Sequence, residues 1–104
     1  MAANNMKHMM RQAQQMQMKM QKVQEEIQSM TYESSAGGGM VKATVQGNGR
    51  VLGVEINPIV VDPSDVEMLQ DLVVTAINSG FDEISSIGSA KMAEITGGMK
   101  IPGM

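Results

Sequence analysis

The stretch "MKHMMRQAQQMQMKMQKVQEEIQSM", residues 6–30, decides how the chain folds. It holds seven of the thirteen methionines and has no glycine, no proline and no aromatic residue. Its apolar residues fall at Met6, Met9, Ala13, Met16, Met20, Val23, Ile27 and Met30, in steps of 3, 4, 3, 4, 3, 4, 3 without a break. A repeat of 3.5 residues is the mark of a helix whose apolar seam packs against another helix. Met6, Ala13, Met20 and Ile27 take the a positions, and Met9, Met16, Val23 and Met30 the d positions. Glutamine, a good helix former, fills much of the remainder. The spacing predicts a helix over about 5–29, roughly 35–40 Å long at 1.5 Å per residue. Part of so long a helix must project from a small domain. Methionine is unbranched and polarizable, so it suits both a pairing seam and an adaptable groove for a polypeptide.

The cations of this stretch avoid the seam. Lys7 lies at b, Arg11 at f, Lys19 at g and Lys22 at c, all on the outer surface. The net charge of the whole chain is −3, yet residues 1–24 carry these four cations and no acid. The remaining residues hold four cations against eleven acids. Such asymmetry points to a basic element offered to an anionic partner, although a solvated helix with a chance bias has the same composition. His8, the single histidine, sits between Lys7 and Arg11 with no carboxylate near it in sequence. It suits a phosphate contact better than catalysis or metal binding.

From Met30 onward the period changes to two. "MTYESSA" reads as a strand, and Gly37–Gly39 as a flexible break. "MVKATVQ" alternates Val41, Ala43 and Val45 with polar residues, the pattern of a half-buried strand. Gly47-Asn48-Gly49 signals a tight turn into "RVLGVEIN". There Leu52, Val54 and Ile56 fall on one face, and Gly53 marks a bulge or the close approach of another backbone. Pro58 ends the strand. A second helix is expected to open within "VDPSDVE", with Asp62 or Ser64 as cap and a Ser64–Glu67 capping box. Val66, Leu69, Leu72, Val73, Ala76 and Ile77 form its apolar stripe, continued by Ile84 and Ile87. Gly80 and Gly88 are placed to loosen or bend it.

The expected architecture is therefore α+β: a long N-terminal helix, a three-stranded antiparallel meander and a C-terminal helix. Within one domain over 1–104, residues 1–30 form the basic arm, 31–57 the sheet, 62–96 the second helix and 97–104 a flexible tail. At 104 residues, with one Phe, one Tyr and no Trp, the core is small and aliphatic. Such a core leaves apolar surface uncovered, and self-association is expected. Leu52, Val54 and Ile56 are the expected dimer contacts.

Much chemistry is excluded at the same level. No cysteine is present, hence no disulfide, thiolate metal site or cysteine nucleophile. "AGGGMVK" and "GNGRVLG" lack the spacing of phosphate-binding glycine loops. Asp62, Asp65, Glu67 and Asp71 read as carboxylates favoured by a helix start rather than as metal ligands. An enzyme is not expected, nor a cofactor, a bound metal, a small-molecule substrate or a membrane span. The chain reads as cytoplasmic.

In this order of elements, four stretches carry a resemblance: "MMRQAQQMQMKMQKVQEEI", "GGGMVKATVQGNGRVLGVEINP", "DVEMLQDLVVTAIN" and "KMAEITGGMKIPGM". Along nearly its whole length the chain resembles the YbaB/EbfC family of bacterial nucleoid-associated proteins. The resemblance implies a homodimer in the cytoplasm and nucleoid, with sheets joined at the centre and helical arms projecting like tweezers. It also implies binding of double-stranded DNA with little sequence preference and an influence on gene expression. Family members often carry several basic residues in the second helix; here that helix offers only Lys91, against Asp82, Glu83 and Glu94. The expected DNA contacts are Lys7, His8, Arg11, Lys19, Lys22 and Lys91. The alternative is a protein-interaction or chaperone-like module that holds a polypeptide with its methionine-rich arms.

Overall fold

The structure, a computed structural model, describes residues 2–97, with side chains from residue 5 onward. Helix α1 spans Ala2–Ser29. Strands β1 (Thr31–Ala36), β2 (Val41–Gln46) and β3 (Val51–Ile56) form one antiparallel sheet in the order β1-β2-β3. A short 3-10 turn, Pro58–Val60, leads to helix α2, Val66–Ile95. The tail expected at 97–104 lies outside the described residues beyond Gly97.

Strand alternation places the core. Ala36 stands opposite Val41, and Ser34 opposite Ala43, so these residues and Val45 share the face that α2 covers. The side chains there are small, which lets the helix lie close on the sheet. Val41, Ala43, Val45 and Ala76 are fully buried, and Leu69, Leu72, Val73 and Ile77 of α2 pack round this cluster. Buried Ser34 would cost stability if unpaired; its Oγ donates to the Ala76 carbonyl at 2.5 Å. Gly80 sits at the closest crossing, where a Cβ would come within 2.7 Å of Ser34 Oγ and Val45 Cγ2. Gly88 serves the same purpose against α1, with Ile27 Cδ1 3.1 Å from where its Cβ would stand. Helix α2 runs unbroken through both glycines, and close packing against Ser34, Val45 and Ile27 accounts for them.

The start of α2 also differs from expectation. Its cap is Asp65, whose carboxylate accepts from the Met68 N–H at 3.2 Å. Asp62 lies outside the helix and accepts from both the N–H (2.9 Å) and the hydroxyl (2.7 Å) of Ser64. A hydroxyl that donates to a carboxylate makes a strong, charge-assisted bond. Ser64 therefore turns towards Asp62 rather than capping the helix, and the two bonds hold the Asp62 carboxyl below its ordinary pKa.

In β3 the simple alternation breaks. Ile56 lies opposite Val41, Val54 opposite Ala43, and Gly53 opposite Thr44, but Val45 then meets Val51. A bulge leaves Leu52 without an opposite residue, and Val51 joins Val54 and Ile56 on the α2 side of the register. Gly53 is next to this bulge and has open space above it, so the bulge, not a close backbone approach within the chain, accounts for it. The close approach falls instead at Gly47, whose N–H donates to the Met30 carbonyl at 2.9 Å. A Cβ on Gly47 would overlap the Ile27 carbonyl. This contact seats the β2–β3 turn against the end of α1.

Helix α1 meets α2 only along its C-terminal half. Met20, Val23, Ile27 and Met30 are half-buried, whereas Met6, Met9, Ala13 and Met16 are exposed. The result is an elongated molecule of 76 × 22 × 17 Å. Its radius of gyration is 20.4 Å, against about 13 Å for a compact domain of this length.

Candidate nucleic-acid interface

Helix α1 carries Lys7, His8, Arg11 and Lys19 on its projecting part and Lys22 just beyond Met20, all exposed. At about 100° per residue, these five side chains fall within roughly 120° of one another around the helix. The stripe they form lies across the helix from the methionine seam. From Lys7 to Lys22 it runs about 22 Å, at 1.5 Å per residue. The first 24 residues hold no acid, so the helix carries no counter-charge until Glu25 and Glu26, one turn beyond Lys22. A one-sided row of flexible cations suits phosphate oxygens, which attract charge without asking for a base sequence. The interleaved glutamines add neutral donors and acceptors. Gln12 Nε2 lies 3.3 Å from His8 Nε2, one turn away.

The stripe ends at the base of the arm. Glu26 is four residues beyond Lys22, and its carboxylate lies 3.9 Å from Lys91 Nζ of α2. Both side chains are partly exposed, and ion pairs of this kind contribute little to stability. Lys91 is thus placed near the foot of the basic row, with its charge countered by Glu26. The rest of α2 offers acids to solvent: Glu67, Asp71, Asp82, Glu83 and Glu94 are all exposed.

A second feature lies at the other end of the molecule. All six residues of β3 are exposed, because α2 covers β1 and β2 and leaves β3 at the open edge. Leu52 is 52 % exposed and Val51 44 %, and Val54 and Ile56 are also exposed. Ile59 and Val61, in the turn that follows, extend the apolar surface. Sequence reasoning named Leu52, Val54 and Ile56 and missed Val51, Ile59 and Val61. The run "NPIVV" was a usable signal, since a turn with three adjoining branched apolar residues has no reason to be apolar unless it is covered. An apolar edge strand with free backbone groups is ordinarily paired or shielded in a stable protein.

Among the described residues, no three of His, Cys, Asp and Glu converge to hold a metal ion. No described helix is long and apolar enough to cross a membrane.

The model of the YbaB/EbfC DNA-binding family matches residues 1–99. The chain belongs to this family. A nucleoid-associated protein of Thermoanaerobacter pseudethanolicus is 48 % identical over 100 residues, covering 96 % of this chain and 90 % of that protein. One from Pelotomaculum thermopropionicum is 43 % identical over 104 residues, covering 100 % of this chain and 99 % of the relative. The fold also resembles the crystal structure of an uncharacterized protein from Helicobacter pylori, with a TM-score of 0.65 at 20 % identity. That match covers 81 % of this chain and 88 % of the other. The helix, three-stranded sheet and helix of this YbaB/EbfC chain thus recur in a solved structure of low sequence identity.

Proposed function

We propose that this YbaB/EbfC protein is a homodimer that binds double-stranded DNA with little sequence preference. In this reading it is a bacterial nucleoid-associated protein of the cytoplasm, where DNA binding influences gene expression. The carrying observation is the exposed row of Lys7, Arg11, Lys19 and Lys22 on α1, within a stretch of 24 residues that holds no acid. The dimer forms through β3, where Leu52, Val54 and Ile56, joined by Val51, meet the same strand of a second copy. Two arms then present eight helical cations to the duplex, while the acidic surface of α2 keeps the rest of the protein away from phosphate. His8 adds a phosphate contact. Lys91 adds one only by leaving Glu26. With one Tyr, one Phe and no Trp in the chain, a row of aromatics for stacking single-stranded bases is missing.

Titration of unrelated duplexes at several salt concentrations tests this. If about four to eight phosphates are neutralised per dimer, log K against log salt slopes by roughly −4 to −7. Changing Lys7, Arg11, Lys19 and Lys22 together to Gln lowers affinity for every sequence and makes the slope shallower. Helicity is retained, since all four side chains are exposed. Unchanged affinity and slope would remove α1 as the DNA-contacting element, and no duplex binding at low salt would remove the DNA reading altogether.

The exposure of Met6, Met9, Met10 and Met18 favours one second reading, capture of a helical or unfolded polypeptide by the arms. Binding of that kind survives salt and weakens when methionines are oxidised to the polar sulfoxide.

A further inference from the structure

We infer that the free half of the α1 seam, Met6 to Met16, pairs antiparallel with the same half of α1 from a second copy. The heptad runs without a break through all eight seam positions. Only its second half, Met20 to Met30, is half-buried in this chain. A helix that merely carried cations would need no seam at its tip. A strict 3.5-residue repeat is what a helical partner requires.

Three observations select the occupant. The first is charge. The positions that flank the free half of the seam are Asn5, Met10, Gln12 and Gln17, all neutral. Lys7, Arg11 and Lys22 lie on the far side of the helix, and Lys19, at g, comes after Met16 and so beyond the paired half; two arms approach seam to seam without bringing like charges together. The second is size. Met6 is 63 % exposed, Met9 67 % and Met16 39 %, and Ala13 between them leaves a dip into which a facing methionine fits. The third is direction. α2 already lies on the seam beyond Met20, with Gly88 against Ile27. A parallel partner would bring its own α2 into the same space. An antiparallel partner covers Met6 to Met16 and stops where α2 begins, placing the two sheets at opposite ends. Met6 then faces the other copy's Met16, and Met9 faces its Ala13.

The pairing leaves the basic rows of both arms facing outward. Two copies joined in this way hold two separate duplex segments, so arm pairing adds bridging to DNA binding. It is a contact distinct from the β3 surface and requires neither DNA nor that surface to form.

The absence of cysteine makes a direct test clean. Met9→Cys and Ala13→Cys variants are prepared separately in the full chain, mixed without DNA, and treated with a short bismaleimide at increasing protein concentration. Both sites are exposed, and circular dichroism checks that helicity is kept. The expected result is a 9-to-13 cross-link several-fold more abundant than 9-to-9 or 13-to-13 products, growing with concentration. Yields no further from even than the roughly 1:2:1 ratio of random collision, or no cross-links, overturn the antiparallel pairing. Sedimentation of the unmodified chain gives a second reading. A species heavier than the main one is expected to appear towards hundred-micromolar concentration and to be lost in the Met9→Gln/Met16→Gln variant. Its persistence in that variant overturns the seam as the contact. If the heavier species appears only after residues 98–104 are removed, or only with an added helical peptide, the occupant is the chain's own tail or a foreign polypeptide and the proposal falls. None of these outcomes depends on DNA, so failure here leaves the DNA reading standing.

Discussion

Gly80 shows how one side chain sets the distance between two layers. A methyl group there meets Val45 Cγ2 and Ser34 Oγ at 2.7 Å, and Ser34 is fixed by its bond to the Ala76 carbonyl. Gly80→Ala is therefore expected to lower unfolding stability by about 1–3 kcal/mol, the usual cost of overpacking, although alanine is the better helix former. A urea midpoint equal to that of the parent chain would show that α2 shifts without cost. Asp62 gives a pH effect at the same scale. Hydrogen bonds from the Ser64 hydroxyl and N–H lower its pKa from the ordinary 3.8. With the folded value below the unfolded one, the stabilisation is present above the unfolded value and is lost as pH falls through the folded one. The side chain is fully exposed, so the effect is local. The Asp62 carboxyl resonance is expected to titrate below pH 3.8, and Ser64→Ala should raise its midpoint. A midpoint that does not move would mean that the Ser64 hydroxyl bond is absent in solution.

At the scale of elements, β3 and α1 are each half used by the chain that contains them. β3 pairs with β2 on one side and presents an open edge on the other, with Val54 and Ile56 uncovered because α2 stops short of them. Val54→Asp is expected to weaken dimerisation at least tenfold, about 1.4 kcal/mol, while the far-ultraviolet spectrum stays native. The native spectrum follows from the structure, since Val54 lies outside the buried cluster of this chain. Light scattering that still reports a dimer for a folded Val54→Asp variant would move the interface away from β3. The same division in α1 explains why a single heptad stretch has two kinds of environment. Its inner half rests on α2; its outer half has no partner among the described residues.

The whole molecule is a small layered body with a long lever. Few tertiary contacts hold the outer half of α1, so it opens locally at low cost compared with the sheet and α2. Trypsin is therefore expected to cut first after Lys7, Arg11 or Lys19, leaving a fragment that contains the sheet and α2. Cleavage after Lys42 or Arg50 should lag well behind. Duplex DNA should slow the early cuts several-fold at low salt and lose that effect as salt rises. Early cleavage in the sheet, or arm cleavage indifferent to DNA, would contradict the placement of both the lever and the anion site.

Local signals in the sequence determined α1, β2 and the turn after it: an unbroken 3.5 repeat made α1, alternation at Val41, Ala43 and Val45 made β2, and Gly47-Asn48-Gly49 made the turn. These signals are carried by neighbours a few residues apart, and so is the charge row on α1. The tertiary structure alone decided what lay between distant residues. It made Gly80 and Gly88 points of close packing, because their neighbours, Val45 and Ile27, come from other elements. It gave the α2 cap to Asp65, because Ser64 spends its hydroxyl on Asp62. It broke the alternation in β3 at Leu52 and put Val51 in register with Val45. Above all, it divided the heptad at Met20, since the length of a seam is written in sequence but the reach of the helix that covers it depends on where α2 lies in space.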